Sequence, residues 1–313
     1  MAAKTAEPAT KEKNNSKEEL LDIKNDYVFK RTFGYIGDEQ VTKILLQDIL
    51  GEEVKEIKLD VNPITEKELM DDKLGIMDIA SVINNNVQVD IEMQFVTMSN
   101  IEKRLLFYWE RLFDKSIKEG NTYGELKQTI AIMVANFELE STKKVQKHLS
   151  EWQIREKDFP KVILTDTLKI CILELPKYAK YKGNNKSLNL WTEFFKNPEV
   201  VKMTNKDIEN EKDEKLKKTK KAIMQARETL EEISRDEHER YLAHLRDKHI
   251  RDQQAIQEYG YNKGVEAGEA KGKAEGILEN SKEIAKKMLE DNCDIEFIIK
   301  MTGLTKEQIE KLF

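Results

Sequence analysis

The stretch GIMDIASVINNNVQVDIEMQF, residues 75–95, decides how the chain is read. Its second half alternates, so Val87, Val89, Ile91, Met93 and Phe95 fall on one face of a strand, and Gln88, Asp90, Glu92 and Gln94 on the other. Its first half, residues 75–83, is apolar and β-branched. Between the two stand Asn84, Asn85 and Asn86, which tolerate the left-handed backbone of a tight turn. The pattern predicts a β-hairpin. A polar strand face ordinarily meets water, but Asp78 is a lone acid inside the apolar run 76–80, where a structural strand prefers Val or Ile. A hairpin turning at the asparagines sets Asp78 and Glu92 at similar depth toward its open end, and the turn register decides whether they share a face.

Outward from the hairpin, residues 55–61 read as a further strand. Apolar positions from Tyr27 to Ile49 suggest two short helices, broken around Gly34 to Gly37 and ended by Gly51. Residues 103–119 have helical period, with Leu105, Leu106, Trp109, Leu112, Phe113 and Ile117 as the apolar stripe and Gly120 closing it. Residues 128–137 and 167–175 are continuous apolar runs, the mark of strands covered on both faces. The simplest assembly is an α/β core, a mixed central sheet flanked by helices. Residues 1–18 read as a disordered lead-in, 19–200 as the core, 201–258 as a charged helical region, and 259–313 as a glycine-spaced connector with a small helical tail.

Bulk properties narrow the function classes. Of the 313 residues 39% are hydrophobic and 36% charged, which suits a folded core carrying long solvated helices. Cys171 and Cys293 lack the spacing of a disulfide framework or zinc site. No apolar run reaches the roughly 20 residues of a membrane span, and the first residues are polar, so no membrane association and a cytoplasmic location are expected. The net charge of −6 argues against a broad polycationic surface, but not against a site in which acids hold a metal that in turn holds phosphate.

Two carboxylates held close on rigid strands repel, and a hard divalent cation such as Mg²⁺ relieves them. Such an ion acidifies a water and stabilises charge on a scissile phosphate. Asp78 and Glu92 therefore point to phosphodiester hydrolysis. Asp90 is the weaker acid of that face, equally readable as a solvated strand residue. On the helix after the hairpin, Arg104, Tyr108 and Arg111 form an i, i+4, i+7 stripe that either holds a phosphate or caps the core.

The run Asn25-Asp26-Tyr27-Val28-Phe29-Lys30, then Asp72-Lys73-Leu74 ahead of Asp78, then Asp90-Ile91-Glu92-Met93-Gln94, Arg104 to Tyr108, Glu174-Leu175-Pro176-Lys177 and the glycine-spaced tail resemble one family. It is the Rpn family of recombination-promoting nucleases and transposases, a branch of the PD-(D/E)XK nuclease superfamily, and the resemblance covers roughly residues 20–280. It implies a restriction-endonuclease-like fold, a magnesium-dependent DNA endonuclease, and a link to DNA recombination or to mobile-element and phage biology. It also implies that Asp78 and Glu92 bind the metal and that Asp26 is an additional metal-binding acid. Gln94 stands where the superfamily usually has lysine. Glutamine carries no positive charge, so catalysis leans harder on the metal or on a lysine such as Lys73 or Lys30. The departure leaves a second reading open, a catalytically inactive DNA-binding or regulatory protein on the same fold.

Gly260, Gly264, Gly268, Gly272 and Gly276 recur every four residues among Lys, Glu and Ala, which suits a soluble helix or charged connector rather than a membrane dimer. His238, His244 and His249 read as a solvated helix face. The tail offers one helix ending near Glu290, one around residues 295–301 and one opened by Thr305 with Gln308 as a capping box, with Gly303 at a helix-turn-helix bend. Its last helix mixes acids and bases, a poor DNA-reading surface. Homodimerisation or packing on the core is the favoured role there, with DNA the partner of the nuclease core.

Overall fold

The structure is a computed structural model that describes residues 19–35, 39–60, 79–97, 100–117 and 122–312. The hairpin forms as its pattern dictates. Strand β2 (Ile79–Ile83) pairs antiparallel with β3 (Val87–Gln94), Ile83 opposite Val87 and Ile79 opposite Ile91. Asn84 and Asn85 take φ values of 49° and 58°, in the left-handed region. Asn84 also anchors the preceding segment, its Oδ1 accepting from the Lys55 amide at 2.7 Å and its Nδ2 donating to the Glu53 carbonyl at 3.1 Å.

Around the hairpin lies a six-stranded sheet in the order β1-β2-β3-β4-β6-β5. Its other strands are β1 (Ile57–Asp60), β4 (Gln128–Ala135), β5 (Leu149–Trp152) and β6 (Leu168–Glu174). The strands β3, β4 and β6 run parallel, and the remaining pairs are antiparallel. The mixed sheet flanked by helices agrees with the expected α/β core. Strand β5 was not foreseen: four residues, half of them exposed, leave little periodic signal.

Helices α1 (Asp26–Phe33) and α2 (Gln40–Leu50) start where expected, and α2 stops at left-handed Gly51, φ 70°. They cover one sheet face together with α4 (Lys186–Lys196) and α6 (Glu214–Arg235), around an aromatic knot of Phe29, Phe33, Trp191, Phe194 and Phe195. A boundary near residue 200 was expected. The charge-rich α6 instead hides a stripe of Ala222, Ile223, Ala226, Leu230 and Ile233 that packs into this core, and the first compact unit runs through Lys248. Between α4 and α6 lies the short α5 (Asn205–Glu209).

The opposite face is covered by α3 (Ile101–Asp114). The stripe drawn for it from sequence needs correction. Ile101, Leu105, Tyr108 and Leu112 are the buried positions, whereas Leu106 is exposed. Broad helical stripes are ambiguous by one position when flanking residues are also apolar. Gly120, named as the helix stop, lies outside the described residues.

Asp48 of α2 ties three helices together. Its buried carboxylate accepts from Trp191 Nε1 of α4 at 3.0 Å and Thr219 Oγ1 of α6 at 2.6 Å, with Lys215 Nζ at 3.5 Å. Burial, outweighing these donors, raises its pKa. A carboxyl whose folded pKa lies above its unfolded value contributes stability that is fully present below the unfolded pKa and lost as pH rises through the folded one. Asp48→Asn keeps an acceptor oxygen and should flatten that part of the melting-temperature profile in the acidic range. Asp48→Ala strands the indole and hydroxyl donors and should cost about 3 kcal/mol in denaturant unfolding.

The second unit, from His249 on, holds the later turns of α7 (Glu237–Glu290), then α8 (Ile295–Thr302) and α9 (Lys306–Glu310). Ala285, Ile298, Leu304 and Ile309 form its small core, Gly303 takes φ 70°, and Thr305 and Gln308 make the expected capping box. The five spaced glycines lie within continuous helix, and a Cβ built on each meets nothing within 4 Å.

Candidate active site

The polar face of β3 does not meet water. Asp90 is 1% exposed, Glu92 3% and Gln88 8%, while Gln94 at the strand end is half-buried. The side-chain alternation fixes why. Val89, Ile91 and Met93 join the core beneath α1, so Asp90, Glu92 and Gln94 leave the strand toward the face covered by α3. Asp90, read from sequence as equally a solvated residue, is the most buried of the three. Two carboxylates at i and i+2 inside a protein demand compensating positive charge.

The neighbours of that face are known on both sides. Asp90 stands between Ala80 of β2 and Ala131 of β4, Glu92 beside Met133, and Gln94 beside Ala135. Small and flexible apolar residues flank the acids. Asp78 and Lys73 lie outside the described residues. Ile79, which follows Asp78, stands opposite Ile91, which precedes Glu92.

From α3, Arg104 sets its guanidinium carbon 5.1 Å from the Tyr108 ring centroid, and Arg111 lies 5.8 Å from that of Phe107. Tyr108 is buried, which favours the core-capping role over a phosphate contact for its ring. Its buried ring is a floor for the Arg104 side chain.

Asp26 is placed differently from the other acids. Arg246 of α7 holds it through a two-pronged ion pair, Nε to Oδ2 at 2.9 Å and Nη2 to Oδ2 at 2.7 Å, across 220 residues of chain. Its neighbours are engaged with the same helix. Asn25 Nδ2 donates to the Ala243 carbonyl and to Asp247 Oδ1, and Tyr27 Oη donates to Glu239 Oε2 at 2.7 Å. Arg31 donates to Glu239 as well. Burial first, then the Glu239 carboxylate, raises the Tyr27 pKa. Helix α1 packs on the apolar face of β3, so the structure does not bring Asp26 onto the face that carries Glu92. Sequence reasoning missed Arg246, one arginine among many in a charged helix, because no local pattern marks it.

A buried ion pair closes the same end of the sheet. Glu174, last residue of β6, is opposite Ala135, which is opposite Gln94, so Glu174 lies two strands from Gln94, roughly 10 Å away. Lys177 Nζ reaches Glu174 Oε2 at 2.7 Å and donates to the Thr142 carbonyl and hydroxyl at 2.7 and 2.9 Å. Glu174 Oε1 accepts from the Leu139 amide and Thr142 Oγ1. Ser141 of that loop donates to Glu102 of α3 at 2.7 Å, linking the network to the helix over the acids.

The oxygen donors of Asp90, Glu92 and Gln94 are the kind a hard divalent cation takes. Among the described residues no group of three His, Cys, Asp or Glu gathers closely enough to hold a metal ion. The described donors therefore fit part of such a site. No described helix is long and apolar enough to cross a membrane.

Comparison with known families gives two matches. Residues 23–260 match the PD-(D/E)XK nuclease family transposase, and residues 278–313 match the Rpn/YhgA-like nuclease family, C-terminal HTH domain. The second match turns the weighting of the tail toward DNA, against the packing role favoured from its mixed charges. No curated protein and no solved structure matches the chain.

Proposed function

Because the chain belongs to the PD-(D/E)XK nuclease family of transposases and ends in an Rpn/YhgA-like HTH domain, we propose that it is a magnesium-dependent DNA endonuclease that hydrolyses phosphodiester bonds. The observation that carries this reading is the buried carboxylate pair Asp90 and Glu92 on the central strand β3. The proposed ligands are Asp78 and Glu92, whose chain neighbours Ile79 and Ile91 face each other across the hairpin. Asp26, ion-paired to Arg246 and on the helix that packs against the other face of β3, is left out of this ligand set.

A divalent cation, which nucleases of this superfamily generally use, supplies the positive charge that acidifies a water and stabilises a phosphate. The chain's own residues do the rest. Glu92 and Asp90 present carboxylate oxygens from a rigid strand, and α3 keeps bulk water from them, which strengthens every charge interaction there. Gln94 offers an amide oxygen to accept a hydrogen bond from the attacking water and so position it, and an N–H to donate to a phosphate oxygen. Arg104 and Lys73 are proposed to steady the DNA backbone, and the HTH domain to bring the core to DNA. The proposed setting is DNA recombination or mobile-element movement in the cytoplasm.

Purified full-length protein should nick or linearise plasmid DNA with Mg²⁺ and leave it intact with EDTA. Gln94→Lys adds the missing positive charge and should raise the cleavage rate about tenfold, equivalent to roughly 1.4 kcal/mol of barrier. The glutamine favours a second reading, a DNA-binding regulator that has lost cleavage. Metal-independent, salt-sensitive DNA binding with no cutting by the wild-type chain or Gln94→Lys would establish that reading and remove the first.

A further inference from the structure

Beyond the proposed cleavage site, the outer edge of the sheet at β5 carries a surface that the described residues leave uncovered. After Trp152 the chain stays extended and doubles back. Leu164 N donates to Ile154 O at 3.1 Å, Glu156 N donates to Val162 O at 3.0 Å, and Arg155 forms a bridge with Ile163. Paired residues of an antiparallel ladder share a face, so Trp152, Ile154, Val162 and Leu164 point to one side. They are 39, 41, 56 and 78% exposed, and Phe159 near the tip is 68% exposed. Together these side chains present on the order of 600 Å² of apolar surface, at the top of what a monomer exposes in one patch.

The backbone beside this patch is equally open. Because Ile154 O and Glu156 N are the groups bonded inward, the N–H and C=O of Arg155 point to the outer edge, and by alternation so do those of Gln153 and Glu151. The side-chain faces agree with that alternation: Arg155 Nη2 donates to Gln153 Oε1, and Trp152 Nε1 donates to Ser150 Oγ. An open edge is a template for another strand, and proteins usually blunt it with like charges or proline.

Here the charges match rather than repel. We propose that this edge pairs with the same edge of a second copy of the chain, antiparallel and centred on Gln153. That register sets Glu151 opposite Arg155 of the second copy, and Trp152 opposite its Ile154, with all three outward backbone positions in hydrogen-bonded pairs. The two-fold axis makes every contact occur twice. The sheets join into one of twelve strands, and Trp152 and Ile154 of each copy meet beside the seam.

Sedimentation of the full-length protein at about 50 μM, a concentration that populates micromolar dimers, reads the result. The expected species is twice the 36.5 kDa of one chain. Gln153→Pro removes an outward N–H without touching an internal backbone bond, losing only the side-chain contact to Arg155, and should weaken the dimer at least tenfold, with an unchanged circular dichroism spectrum. Glu151→Arg sets like charges across the seam and should do the same, while Glu151→Arg with Arg155→Glu should restore the dimer. A monomer at that concentration overturns the proposal. So does a dimer that survives both single substitutions, which would place self-association elsewhere on the chain.

Discussion

Glu92→Ala should lower Mg²⁺-dependent plasmid cleavage by about three orders of magnitude while the protein melts no lower than wild type. The two halves of this result come from one cause. Glu92 is buried two residues from buried Asp90 on the same strand face, where two like charges so close repel. Removing one relieves that repulsion, at the cost of a modest cavity. In the proposed metal-bound state the same carboxylate would be a direct ligand, and losing it would forfeit several kcal/mol of transition-state stabilisation, tenfold for about each 1.36 kcal/mol. Initial rates on supercoiled plasmid and a melting curve without metal test both halves. Undiminished cutting by Glu92→Ala would sink the assignment of the site to β3. Lost cutting with a collapsed melting curve would make Glu92 a structural residue instead.

The largest stability loss should follow Lys177→Met. Its side chain is 1% exposed, and its ammonium lies 2.7 Å from the carboxylate of the fully buried Glu174. Replacing Lys177 leaves that carboxylate uncompensated, which costs roughly 3–5 kcal/mol, a fall in melting temperature on the order of 10 °C for a unit of this size. Adding Glu174→Gln should recover most of the loss. The amide oxygen can still accept from the Leu139 amide and Thr142 Oγ1, and the neutral amide no longer needs a compensating charge. No recovery in the double variant would show that the lysine acts through packing of its stem rather than its charge. Because the loop bearing Thr142 also holds Glu102 through Ser141, the single variant should loosen α3 over the acids and depress cleavage with stability.

Much of the fold is written in short periods of sequence. The alternation in 87–95, the triple asparagine, the glycine after α2 and the Thr305–Gln308 box each act within a few residues, where sterics and local hydrogen bonds decide the outcome. The same local logic made Glu92 and Gln94 share a strand face. It could not tell what covers that face, because period two specifies only sides. Burial of Asp90 and Glu92 depends on α3, whose own stripe was ambiguous by one position until the sheet selected it. The charged α6 likewise looked solvated, since its few apolar positions acquire meaning only against α2 and α4. The partner of Asp26 lies 220 residues away. An ion pair of that span leaves no mark on either segment alone: one guanidinium is chosen among many by the packing of α1 on α7, and only the tertiary structure makes that choice.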